Sequence, residues 1–152
     1  MRRSRLLVLI ALAIAAFLAI SALLARVFSA ESAERDAITR VVRAEAHGDQ
    51  GYVIDQIKGC RASSSCRERI AADVAALRHA GTVLILTLQQ STGFSLSSTL
   101  GTARVAWDVG SSLPITQCVR VRRAGNALSG LRVELLAITP RLQADATCPT
   151  RF

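Results

Sequence analysis

Apolar and polar positions along this chain follow three successive patterns. From Leu6 to Ala25 there is no period: LLVLIALAIAAFLAISALLA is apolar throughout, with Ser21 as its one polar residue. A helix of about twenty residues, rising about 1.5 Å per residue, spans the roughly 30 Å hydrocarbon core of a bilayer. The first pattern therefore predicts a transmembrane helix over 6–25. Next comes a helical period. Ile38, Val41 and Val42 recur at three and four residues among Glu34, Arg35, Arg40 and Arg43, and HGDQG ends the run. YVIDQIK reads as a short second helix with Val53, Ile54 and Ile57 on one side, stopped by Gly59. Ile70, Val74 and Leu77 form the stripe of a third helix, with Ser65-Cys66-Arg67-Glu68 as its capping box and Ala80-Gly81 as its stop.

From Thr82 the pattern alternates. TVLILTLQQ is apolar and rich in β-formers and is expected to be a strand buried on both faces. TARVAWDV sets Ala103, Val105 and Trp107 against Arg104, Ala106 and Asp108. ITQCVRVRR sets Ile115, Val119 and Val121 against Thr116, Cys118, Arg120 and Arg122, and GLRVELLAIT turns Leu131, Val133 and Leu135 inward. RAGNALSG between the last two strands has hairpin composition with Gly125-Asn126 at its tip, and Pro140 closes the sheet. Helices followed by strands predict an α+β fold: an N-terminal transmembrane helix, then three helices packed on a curved antiparallel sheet of about four strands. The organisation expected is a cytoplasmic tail at 1–5, the anchor at 6–25, a juxtamembrane segment and the start of the first helix at 26–36, one extracytoplasmic cone-like domain at 37–139 and a polar tail at 140–152.

Charge orients the anchor. Arg2, Arg3 and Arg5 precede it and only Arg26 follows closely, so the positive-inside rule puts the domain on the extracytoplasmic side of a cell membrane. A cleaved signal peptide is the alternative. Its apolar region would be shorter, and cleavage after Ala25, Ala30 or Ala33 would place Leu23, Phe28 or Glu31 where a small residue belongs. Of 19 basic residues four flank the anchor, and all 11 acidic residues lie beyond it, which leaves the outer part at +4. With one Trp, one Tyr and scattered arginines, it lacks the dense basic stripe and stacking aromatics of a nucleic-acid binder.

Compartment also decides the cysteine chemistry. Outside the cytoplasm four cysteines read as two disulfides. Three pairings exist; proximity favours Cys60 with Cys66, leaving Cys118 with Cys148. The spacing of Cys60 and Cys66 is too wide for a zinc knuckle and is not CxxC, so no metal is expected.

The element order, AITRVVRAEAHGDQGYV as a first helix with its Gly-Asp turn, and the terminal hairpin together resemble the nuclear transport factor 2-like superfamily. Within it they resemble membrane-anchored envelope members such as the Mce-associated membrane proteins. That resemblance implies a cone of sheet around a long N-terminal helix, and covers roughly 31–139. Leu131 stands after the final hairpin turn where the superfamily often has an aromatic residue.

Candidate chemistry is sparse. His47 and His79 sit at helix ends, where the helix dipole accounts for them. Asp108 is expected to face away from Trp107, and Tyr52 and Asp55 share only the spacing any helix surface offers. STGFSLSSTLG lacks the lysine and following helix of a phosphate loop. No catalytic residue and no cofactor is therefore assigned. The expectation is a membrane-anchored binding or assembly module with a membrane or envelope protein partner. An alternative is a carrier of small apolar ligands, or an enzyme, whose interior is walled by Val105, Trp107, Val121 and Val133. Arg120, Arg122 and Arg123 are the candidate contacts for anionic surfaces.

Overall fold

The computed structural model describes residues 2–90, 99–110, 113–126, 130–143 and 146–150. Its first element, α1 (Arg2–His47), unites the apolar run with the amphipathic helix predicted after it. The passage 26–36, expected as a juxtamembrane segment and the start of the first helix, is helical throughout, and Ser29 Oγ donates to the Arg26 carbonyl at 2.8 Å, a bond a continuing helix accommodates. Apolar side chains from Leu6 to Leu24 are largely exposed, whereas beyond Ala30 one stripe of the helix is buried against the rest of the chain. A helix whose apolar surface lies bare along its first half is not a core helix. It is the one helix among the described residues long and apolar enough to cross a membrane.

The end of α1 is built by backbone geometry. Gly48 takes φ +83°, the Gly48 N–H reaches the Glu45 carbonyl at 3.1 Å and the Asp49 N–H reaches that of Ala44 at 2.8 Å. These are the two bonds of a Schellman motif, which needs a left-handed residue at this point. Asp49 then caps α2 (Gln50–Gln56) by accepting from the Tyr52 N–H at 3.0 Å. A single 3-10 turn at Cys60–Ala62 leads into α3 (Ser64–Leu77). The predicted capping box at Ser65 does not form. Ser63 is the cap, extended at φ −104° and ψ 115°, and its Oγ accepts from the Cys66 N–H at 3.3 Å. Three consecutive serines offer the same chemistry, and the helix takes the earliest because the 3-10 turn ends at Ala62. At its other end α3 stops at Leu77, short of Ala80-Gly81, because Arg78 is already extended.

Four strands follow, β1 (Val83–Gln89), β2 (Thr99–Val109), β3 (Ile115–Asn126) and β4 (Gly130–Ile138). They form one open antiparallel sheet in the order β1-β2-β3-β4. The alternation read from β2 and β3 holds. Ala103, Val105, Trp107, Ile115, Val119 and Val121 are buried on the inner face, against Ile38, Val41 and Val42 of α1 and Ile70 and Val74 of α3. The expectation for TVLILTLQQ is overturned. β1 is an edge strand with Leu84 54% and Leu86 48% exposed, because no layer covers the outer face there. A fully apolar run gave no alternation from which to read a single buried face.

Gly125 and Asn126 still lie within the ladder, paired with Leu131 and Gly130, so they flank the hairpin tip rather than form it; residues 127–129 at the tip fall outside the described residues. Most of STGFSLSSTLG also falls there, apart from its last residues, which open β2. The C-terminal tail is tied down: the Leu142 N–H donates to the Thr116 carbonyl at 2.7 Å, and Cys148 is bonded to Cys118.

Candidate functional site

The stripe of α1 that faces the sheet is apolar in its middle and acidic at both ends. Glu34, Ile38, Val41, Val42 and Glu45 recur at three and four residues, and all are buried. β3 answers in its own period, with Ile115, Gln117, Val119, Val121 and Arg123 on alternate positions of the inner face. Two polar clamps result. Near the start of the domain, Arg123 Nε donates to Glu34 Oε2 at 2.9 Å and Nη2 lies 2.8 Å from the same oxygen, with side chains 3% and 0% exposed. At the far end, Trp107 Nε1 donates to Gln117 Oε1 at 2.8 Å. The Gln117 amide in turn donates to Glu45 Oε2 at 2.8 Å and to the Thr139 carbonyl at 3.1 Å.

Glu45 is held near neutrality. Its carboxyl is pushed from 4.5 up to about 7, chiefly by burial; the Gln117 hydrogen bond pulls it down and neighbouring Asp73 pushes it up. Asp73 of α3 is itself raised by burial, against the pull of Arg69. Glu45 Oε1 and Asp73 Oδ2 are buried without a hydrogen-bond partner. A carboxyl titrating near neutrality has the property of a general acid or base. Catalysis also requires contact with substrate, and Glu45 has no accessible surface. What the clamps do in this arrangement is structural: each breaking of the apolar stripe fixes the rotation and the axial register of α1 on the sheet.

Glu34, Glu45 and Gln117 are not among the sequence-based candidates, since Glu34 reads with the polar face of its helix and Gln117 as an isolated polar residue, while Arg123 is expected there at an anionic surface instead. The signal was available. Glu34 and Glu45 continue the Ile38/Val41/Val42 stripe, and Gln117 and Arg123 continue the Ile115/Val119/Val121 alternation.

The residues expected to wall an interior do come together on the inner face. Val105, Trp107 and Val121 are fully buried and Val133 packs partly buried against them. A cavity large enough for a ligand would leave accessible area on its walls, and the first three have none. The arginine group is split. Arg120 and Arg122 point outward, but Arg123, one residue on, turns inward to Glu34, which corrects its assignment to an anionic surface contact. Arg122 is itself engaged by Glu134, through Nε at 2.7 Å, and Lys58 reaches the other Glu134 oxygen at 2.7 Å. Those two cations hold the Glu134 carboxyl below its usual range.

Among the remaining candidates, Asp55 binds Arg61 Nε at 2.9 Å rather than Tyr52. His79 Nδ1 lies 2.8 Å from the Leu77 carbonyl, its backbone N–H donates to Ala46, and His47 ends α1. Asp108 lies outward in register with Leu84. Both expected disulfides are present, with Cα separations of 5.2 Å for Cys60–Cys66 and 5.7 Å for Cys118–Cys148.

Clefts open on the surface of the described residues. One of about 410 Å³ is bounded by Leu113, Pro114, Arg141 and Leu142, one of about 320 Å³ lies beside the Cys60–Cys66 bridge, and one of about 280 Å³ lies between β1, β2 and the tail at Cys148. At the outer edge of β1, Leu84 and Leu86 stand exposed beside backbone groups that no described strand pairs. Comparison with protein-family models, curated proteins and solved structures found no match.

Proposed function

We propose that this chain is a membrane-anchored extracytoplasmic binding module without catalytic activity, which docks a membrane or envelope protein through the edge of β1 that no described strand pairs. The observation that carries the reading is that edge. Unpaired strand edges are ordinarily short, charged or covered, since they template pairing with another chain. VLILTLQ has no charge, and Leu84 and Leu86 project from it. A partner segment that adds as a further strand would satisfy its backbone groups and bury both leucines. Anchorage supports the same reading, because holding the domain beside the bilayer raises its effective concentration toward other membrane proteins. The two disulfides fit an oxidising compartment.

The architecture keeps the nuclear transport factor 2-like relationship as part of this proposal, supported by helices that precede a four-stranded antiparallel sheet with α1 against its inner face. The interior reading, with a small apolar ligand or a substrate among Val105, Trp107, Val121 and Val133, draws less support, because three of the four lack accessible surface.

A photo-crosslinking residue at Leu86 in native membranes tests the proposal. A discrete adduct is expected that is lost when Leu84 is also changed to Lys, and that does not form from exposed Arg40 on α1. Equal capture from both positions, or none from Leu86, rejects the edge as the docking surface.

A further inference from the structure

The two clamps also fix where the sheet stands relative to the bilayer. Glu45 meets Gln117 and Glu34 meets Arg123, so β3 runs antiparallel to α1. The helix between the two glutamates covers about 16 Å and the strand between their partners about 20 Å, so the two elements are close to aligned. Arg123 therefore stands at the level of Glu34, which lies about 13 Å of helix beyond Ala25, the end of the apolar run. The strand continues past Arg123 to Asn126, which carries it back toward the apolar run by about 10 Å. The flanking ends of the β3–β4 hairpin thus return to the level of Arg26 to Phe28.

What these ends carry suits a headgroup layer. Arg132 is exposed in register with Ala124, Leu131 is half-buried opposite Gly125, and Phe28 is 61% exposed on the helix at the same level, beside Arg26. Arginine forks match phosphate oxygens, and aromatic and leucine side chains fit the boundary between headgroups and acyl chains. Gly125 lets the ladder persist to this point: at φ +100°, a Cβ there would sit 2.2 Å from the Gly130 carbonyl oxygen.

We propose that Leu131 and Arg132 at the start of β4 and the exit of α1, with Arg26 and Phe28, form a lipid-contact surface that seats the domain directly on phosphate-bearing headgroups. This rests on the anchored reading of α1. The domain then has one orientation: the hairpin end faces the bilayer, and the opposite end, with Leu113 and Pro114, projects away from it.

All four native cysteines are paired, so a cysteine introduced at Asn126 offers a single free thiol for a fluorophore; Arg132→Cys supplies a second, independent site. The full chain is reconstituted in phosphatidylcholine nanodiscs carrying nitroxide lipids, spin-labelled either at the headgroup or deep in the acyl chain. Labels at Leu113→Cys and Ala16→Cys serve as references. Headgroup nitroxides are expected to quench positions 126 and 132 several-fold more than 113, while deep nitroxides quench position 16. Deep quenching at 16 with 126 and 132 no more quenched than 113 overturns the lipid contact and leaves the anchor standing. Absence of deep quenching at 16 overturns the anchor, and the lipid contact with it.

Discussion

Glu45 makes the protein's stability depend on pH in a direction opposite to that of most carboxylates. Its folded-state carboxyl titrates near 7 against 4.5 when free, so the folded protein holds a proton that the unfolded chain releases. The stabilisation is fully present below the free value and is lost as pH rises through about 7, a difference of about 3 kcal/mol between mildly acidic and mildly alkaline solution. Asp73, also raised by burial, acts with the same sign. Glu134 acts oppositely: held low by Lys58 and Arg122, it contributes above its free value and loses that contribution as pH falls. Denaturant unfolding at several pH values should therefore give maximal stability near pH 5, and Glu45→Gln, which keeps the acceptor for Gln117, should flatten most of the decline toward pH 8. An equal decline in wild type and variant would exclude Glu45 as its source. The same residue shows what was hard to read from sequence. A polar residue within an apolar stripe is inward only if a partner awaits it, and that partner lies 72 positions along the chain.

At the scale of elements, most of the fold was legible and the exceptions have physical causes. Helical and alternating periods located α2, α3, β2, β3 and β4 because each turns an apolar face inward, although the C-terminal tail also covers Thr116 and Cys118 on the outer face of β3. β1 carried no such asymmetry, so its run of apolar β-formers was read as doubly covered when it is an edge. The α3 cap was misplaced by two residues because Ser63 and Ser65 are chemically equivalent, and the choice was made by the turn that the Cys60–Cys66 bridge closes. Arg123 was assigned outward with its neighbours, although period two alone puts it opposite Arg122. The bridges differ in weight. Cys60–Cys66 closes a separation of 6 residues and Cys118–Cys148 one of 30. Loop-closure entropy assigns them about 2 and about 3–4 kcal/mol. Replacing Cys118 and Cys148 with Ala should accordingly lower the unfolding midpoint more than replacing Cys60 and Cys66, as read by denaturant titration. The reverse order would mean that the tail bound through Cys148 contributes little to holding the domain.

The whole molecule is one continuous helix that leaves an apolar half bare and docks its other half on a four-stranded sheet, clamped at both ends of the contact. The periods put these polar residues on inward positions, but which of them meet was not legible in the sequence, because the pairs form only once α1 lies on β3. The proposed function requires that this helix stay in the membrane, uncleaved, with the domain outside. The chain has a single lysine, Lys58, whose side chain is 51% exposed on the domain. Intact cells treated with a membrane-impermeant amine reagent, followed by mass analysis of the carbonate-washed membranes, therefore report side and cleavage together. One label is expected, at Lys58, on a chain that keeps the apolar helix and is retained in the membrane. An unlabelled chain would put the domain on the inner side, and a shortened, soluble product labelled at Lys58 and at a new N-terminus would show that the apolar helix is removed.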